Sequence, residues 1–168
     1  MGRIYVFVGL MLAQPLFAAV EAIVVNGSLG HVALVGQPAA YENALGFGFE
    51  AGVKANSLLD VQFGLRQSSH SVGLSILNPT LSAEFHVSQF YDVDMIVGCG
   101  PGFYQFSANN TSRTHFGVQF GGAVDVVVED SLRFGVGVRY HSVFDASENA
   151  PSHWAVLMRV GYTFGLSR

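Results

Sequence analysis

His153-Trp154-Ala155-Val156-Leu157-Met158-Arg159-Val160-Gly161-Tyr162-Thr163-Phe164-Gly165-Leu166 is the stretch that decides the fold. Trp154, Val156, Met158, Val160, Tyr162, Phe164 and Leu166 fall on one side of a two-residue period; His153, Ala155, Leu157, Arg159, Gly161, Thr163 and Gly165 fall on the other. Successive side chains of a strand point to opposite faces. The segment therefore reads as a strand with one continuous apolar face and one face of small, polar and charged residues.

The same pattern recurs towards the N-terminus. Leu132, Phe134, Val136, Val138 and Tyr140 oppose Arg133, Gly135, Gly137, Arg139 and His141, and Phe116, Val118, Phe120, Val124 and Val126 oppose His115, Gly117, Gln119, Gly121 and Asp125. Val93 to Phe103 sets Met95, Val97, Cys99 and Pro101 against Asp94, Gly98, Gly100 and Gly102. Leu81, Ala83, Phe85 and Val87 oppose Ser82, Glu84, His86 and Ser88; Leu59, Val61, Phe63 and Leu65 oppose Asp60, Gln62, Gly64 and Arg66. Leu45, Phe47, Phe49, Ala51 and Val53 oppose Gly46, Gly48, Glu50, Gly52 and Lys54, which makes seven strands. A closed antiparallel barrel wants an even number, so an eighth is expected in roughly Val25 to Val35, where the alternation is too weak to assign its faces.

The connections alternate in length. Tight turns are expected at Ala55-Asn56-Ser57, Phe90-Tyr91-Asp92 and Glu129-Asp130-Ser131, and longer polar links at Gly36 to Asn43, Gln67 to Pro79, Ser107 to Thr114 and Asp145 to Ser152. Short turns on one rim and longer loops on the other are a habit of outer-membrane barrels, with the loops facing the cell exterior.

Composition agrees. The chain has 168 residues, 50% hydrophobic and only 12% charged, too few charges for an ordinary soluble surface. Beyond the N-terminus no run of about 18 apolar residues offers a membrane helix. The start differs: Met1-Gly2-Arg3 is positive, Ile4 to Leu12 is apolar, and Phe17-Ala18-Ala19-Val20-Glu21-Ala22 is rich in small residues. This reads as a signal peptide over residues 1–22, with Pro15 breaking any longer helix and Ala18 or Ala19 as other cleavage positions, leaving 23–168 as the barrel domain. One cysteine, Cys99, permits no intramolecular disulfide. The net charge of −4 supplies no basic patch for nucleic acid, and six scattered histidines lack metal-ligand spacing, so no cofactor is expected.

Alternation alone leaves open which face looks outward, and a soluble lipocalin-like barrel is the competing arrangement. Volume separates them. An eight-stranded barrel has an interior just wide enough for side chains to fill, and the apolar faces carry far too many Phe, Leu and Met residues to fit inside. The glycine-rich face suits a confined lumen. It carries Glu50, Asp60, Glu84, Asp94 and Asp125 beside Lys54, Arg66, Arg133, Arg139 and Arg159, a balance expected of buried, mutually paired charges and of a plugged interior. Phe90, Tyr91, Tyr162 and Phe164 at one end, and Phe103, Tyr104, Tyr140 and Trp154 at the other, read as aromatic girdles at the two membrane interfaces. The expected fold is all-β, an eight-stranded antiparallel transmembrane up-and-down β-barrel.

Asn78-Pro79-Thr80-Leu81-Ser82, Val97-Gly98-Cys99-Gly100-Pro101-Gly102-Phe103-Tyr104, Arg139-Tyr140-His141 and Gly161-Tyr162-Thr163-Phe164 resemble strand segments of the small outer-membrane barrels related to OmpA, OmpX and OmpW. The resemblance covers nearly all of the chain after residue 22. It implies a bacterial outer-membrane location among outer-membrane lipids and lipopolysaccharide, as a monomer. Arg159, Gly161, Phe164 and Leu166 resemble the C-terminal assembly signal, which implies recognition by the barrel-assembly machinery; Ser167-Arg168 follow where many members end on an aromatic residue.

Three functional classes remain in view. The leading expectation is a non-enzymatic barrel with an envelope-structural or surface-interaction role. The second is a small passive channel for small or hydrophobic solutes, with Gly100-Pro101-Gly102 able to weaken the strand ladder. The third is lipid A modification, for which His141-Ser142 and Glu148 supply a base, a nucleophile and an acid. Adjacent strand residues point to opposite faces, which weighs against it.

Overall fold

A computed structural model describes residues 20–35, 44–71, 73–129, 131–144 and 151–165. Eight strands follow one another: β1 (Ala22–Leu34), β2 (Ala44–Asn56), β3 (Leu59–Ser69), β4 (Ser75–Phe90), β5 (Val93–Ala108), β6 (Thr111–Glu129), β7 (Leu132–Val143) and β8 (His153–Gly165). Each pairs antiparallel with its sequence neighbour, and β1 pairs with β8 to close the barrel. Closure leaves no strand edge in the ring, the condition that lets a sheet sit in hydrocarbon with its backbone groups satisfied.

The wall is inside out relative to a soluble protein. Phe47 is 59% exposed and Met158 70%, while Asp60 and Glu84 on the other face are 0% and 1% exposed. All seven patterned strands take the facing that their alternation predicts over most of their length. Ser88 is the departure: the β4–β5 register shifts between His86 and Ser88, and this bulge turns Ser88 outward. β1 begins earlier than expected, and its pattern is faint because Val24 and Val32 face in while Gly27 and His31 face out.

Two of the expected long links are short. β3 runs on to Ser69 and β4 starts at Ser75, so Pro79 lies within a strand. β5 and β6 are joined by Asn109-Asn110 alone, with φ of 49° and 62°. Positive φ at both central residues suits the twist of a two-residue hairpin, and asparagine tolerates it better than most residues. These strand ends were hidden because the polarity of the faces inverts there: Ser69, Ser75, Gln105 and Ser107 look outward while Ile76 and Phe106 look inward, and Gln105 Nε2 to Ser112 Oγ (2.9 Å) and Ser107 Oγ to Ser112 Oγ (3.1 Å) add to the ladder. The links at 36–43 and 145–150 lie outside the described residues, as does the expected signal peptide up to residue 19. Ala22, its expected last residue, is the first of β1 and sits opposite Lys54 and Gly165.

Both ends of the barrel chain and the β2–β3, β4–β5 and β6–β7 connections share one rim, here the turn end; the opposite rim is the loop end. Phe90, Tyr91, Tyr162 and Phe164 face out near the turn end, and Phe103, Tyr140 and Trp154 near the loop end, with Tyr140 and Trp154 ring centroids 4.6 Å apart. Tyr104 does not belong to that girdle. It follows Phe103 in the strand and so points inward, with no exposed surface.

Candidate functional site

Nine of the ten expected lumen charges are buried: Glu50, Asp60, Arg66, Glu84, Asp94, Asp125, Arg133, Arg139 and Arg159. Their pairing follows from which strands face each other across the barrel. Glu84 on β4 is the hub. It accepts from Arg159 Nη2 on β8 at 3.0 Å, from Arg139 Nη2 on β7, and from Gln62 Nε2 on β3 at 3.0 Å. In an eight-strand ring β4 and β8 are four strands apart, so the Arg159–Glu84 bond spans the lumen from wall to wall. Arg66 Nη2 donates to Glu50 Oε1 at 3.1 Å, and Arg139 Nη2 lies 3.6 Å from the same oxygen. Arg159 Nε is 3.9 Å from Asp125 Oδ1.

Nearer the turn end, His86 stands between two aspartates. Its Nδ1 is 2.6 Å from Asp94 Oδ2, and its Nε2 is 3.2 Å from Asp60 Oδ2, within ion-pair reach although not aligned as a hydrogen bond. Arg133 Nη1 lies 3.8 Å from Asp94 Oδ2. His86 was legible as an inward residue, but counting only Asp, Glu, Lys and Arg as charges passed over it. Lys54 is half-buried at the turn-end rim, and no ion pair holds it among the described residues.

The loop half is built differently. His141 on β7 and His153 on β8 stack with ring centroids 4.5 Å apart. Arg66 Nη1 on β3 bonds His141 Nε2 at 3.2 Å, Tyr104 Oη is 3.2 Å from His141 Nδ1, and Asn78 Nδ2 on β4 donates to His153 Nε2 at 3.1 Å. Both the Arg66–His141 and Asn78–His153 contacts again join opposite walls. Above them Leu74, Ile76, Tyr104, Phe106 and Val143 form an apolar cluster at the loop-end mouth. Tyr104 was expected in the outer girdle and His141 only in the catalytic alternative, while His153 was singled out for no role; their inward position was readable from the alternation, whereas their meeting was not.

The catalytic alternative is disfavoured, since His141 and Ser142 are not brought together, as their adjacency in a strand implies. His141 is fully buried in the lumen while Ser142 sits half-exposed on the outer face, and Glu148 lies outside the described residues. Of the expected assembly signal, Arg159 and Gly161 face the lumen, Phe164 faces out, and Leu166 lies outside the described residues.

The β4–β5 ladder is interrupted around its two prolines, although the backbones stay close. Thr80 pairs with Gly102 and Ala83 with Cys99, but Pro79 and Phe103, and Leu81 and Pro101, which the same register sets opposite, do not form pairs. Neither proline has an N–H to donate. Gly100 fits here because a Cβ would lie 2.8 Å from the Cα of Ser82.

The fold matches known structures at low sequence identity. Neisserial surface protein A is similar with a TM-score of 0.67 and 12% identity over 85% of this chain and 96% of that one. The N-terminal β-barrel domain of Pseudomonas aeruginosa OprF gives 0.63 and 11% over 84% and 97%. Ail, the attachment invasion locus protein of Yersinia pestis, gives 0.50 and 16% over 86% and 97%. No family model matches the chain, and no curated protein matches it in sequence. The architecture is that of the small eight-stranded outer-membrane β-barrels, in keeping with the resemblance drawn from the strand segments.

Proposed function

We propose that this chain is a non-enzymatic outer-membrane barrel whose lumen is sealed to axial flow and whose role is envelope-structural or surface-interacting. One observation carries the reading: side chains on opposite walls bond to each other at successive levels, Arg159 to Glu84, Arg66 to His141 and Asn78 to His153, beneath the apolar cluster around Tyr104. A lumen of this width filled by mutually bonded side chains leaves little continuous water. In this reading the turn end is periplasmic and the loop end external, the monomer sits among outer-membrane lipids and lipopolysaccharide, and the barrel-assembly machinery inserts it through the β8 signal. The names of two structural neighbours, a surface protein and an attachment protein, suit such a role. Refolded protein in a planar bilayer should show no steady current, and Arg139→Ala should admit one. Steady wild-type current would refute the sealed lumen.

The proline-interrupted β4–β5 seam favours a second reading, lateral passage of small apolar solutes between lipid and lumen. Ala83→Cys places a thiol opposite Cys99 beside the interrupted pairs, so a disulfide there would staple the seam. Uptake of a small apolar dye by proteoliposomes should then fall on oxidation and return on reduction if the seam is a route, and stay at the protein-free level throughout if it is not.

A further inference from the structure

The two halves of the lumen hold their buried imidazoles in opposite ways. His86 lies between Asp60 and Asp94, carboxylates that suit a protonated ring. His141 and His153 have no carboxylate against them among the described residues. Around His141 stand Arg66 of β3, Tyr104 of β5, Arg139 of its own strand β7 and the stacked ring of His153. His153 meets Asn78 of β4 and lies in the field of Arg66 and His70 of β3. β1 and β6 set Leu34 and Gln119 beside the two rings, neither of them charged, and His115 of β6 packs on Phe106. Glu50 of β2 is already bonded to Arg66.

Donor and acceptor roles fix the charge of His141. A guanidinium only donates, so the 3.2 Å contact from Arg66 Nη1 requires a lone pair on His141 Nε2, and the ring's one proton sits on Nδ1, facing Tyr104 Oη at 3.2 Å. In the closed lumen this ring is neutral. A proton added at Nε2 would set two donors and two cations face to face. His153 is more forgiving: Asn78 Nδ2 donates to its Nε2, but the amide's Oδ1 has no partner, so turning the amide over accommodates a proton. Arg66 has no acceptor to offer. We propose that the Arg66–His141 contact is an acid-released latch: a proton on His141 breaks the tie between the opposite walls β3 and β7 and opens the loop-end mouth to water, while the Glu84 network beneath stays closed. The inference rests on the sealed-lumen reading and adds regulation to its outer level. A proton taken up only by the open state raises the open-to-closed ratio roughly ten-fold for each pH unit below about 6.5, where free imidazole titrates.

The test uses the whole barrel refolded in a nonionic detergent with fluorotyrosine in place of tyrosine, read by fluorine NMR from about pH 7.5 down to about pH 4.5, a range that brackets imidazole titration. The Tyr104 signal, assigned by its loss in Tyr104→Phe, should show no shift between light and heavy water at neutral pH. Below about pH 6.5 a second, water-sensitive signal should grow by roughly ten-fold per pH unit relative to the first. His141→Gln keeps a carbonyl acceptor for Arg66 and has nothing to titrate, so its Tyr104 signal should stay in the closed form throughout. If that variant does not fold, nitrogen NMR of the wild-type imidazoles makes the same decision: His141 Nε2 should be unprotonated at neutral pH and gain its proton as the open signal grows. A Tyr104 signal that ignores acid in the folded wild type, an acid response kept in full by His141→Gln, or a cationic His141 in the closed barrel would overturn the latch. Steady current at neutral pH sinks the sealed lumen itself, whereas a silent barrel whose Tyr104 ignores acid sinks only the latch.

Discussion

The two faces of the barrel wall follow opposite rules. On the lipid face Val136, Val138, Phe134 and Met158 need only be apolar, because their neighbours are fluid hydrocarbon with no fixed geometry. On the lumen face Glu84 has three named donors and His86 two named carboxylates, each reaching from a different strand. The outer face is therefore specified by composition and the inner by pairing. Substitutions on the first should be judged by polarity and on the second by what is left unpaired.

Glu84→Ala should show the largest effect. It takes the nearest carboxylate from two buried guanidiniums, leaving Arg139 only the 3.6 Å approach to Glu50 and Arg159 only the 3.9 Å approach to Asp125, and losing one partner of a buried ion pair costs roughly 3–5 kcal/mol. Equilibrium unfolding in urea with lipid vesicles measures it. A cost no greater than that of an apolar swap outside would collapse the distinction between the faces.

Val136→Arg comes next, at roughly 2–4 kcal/mol for a charge near the bilayer midplane. Here the residue removed matters little and the residue introduced matters greatly, the reverse of Glu84. Gly121→Ala should cost roughly 1–3 kcal/mol by overpacking, since a Cβ there would lie 2.8 Å from the Arg139 Cα, backbone that cannot step aside. Gly137→Ala is the control on the same face: its Cβ would meet the Arg159 Cδ at 3.3 Å, a flexible side chain, so its effect should be visibly smaller.

Tyr104→Phe isolates one polar contact of the inner face. The ring stays in the apolar cluster while the bond to His141 Nδ1 is lost, at about 1 kcal/mol in the same unfolding assay. Met158→Leu on the lipid face should lie within about 0.5 kcal/mol of wild type. A Met158→Leu effect larger than that of Tyr104→Phe would show that the outer face makes specific contacts after all.

Much of this was legible in the chain itself, and the misses have a common cause. Strand faces from Leu45 onward were readable because lipid and lumen impose opposite polarity on alternate residues, a signal carried by neighbours in sequence. The signal inverts beyond the lipid zone, where polar Ser69, Ser75 and Ser107 look outward and apolar Ile76 and Phe106 look inward, so the strand ends at Ser69, Ser75, Ala108 and Thr111 read as loops. It faded in β1, where small and apolar residues stand on both sides. Tyr104 was misplaced because its residue type suggested a girdle, although its position beside Phe103 placed it inside.

Which charges meet could not be read in this way. Glu84 and Arg159 are 75 positions apart, and nothing local links them. Their contact depends on closure of β1 onto β8, which sets β4 opposite β8, and on the strand register, which brings the two residues to the same level. Alternation is a property of consecutive residues and is written in the chain; stagger and closure are properties of the whole ring, so the tertiary structure alone decided the pairing within the lumen.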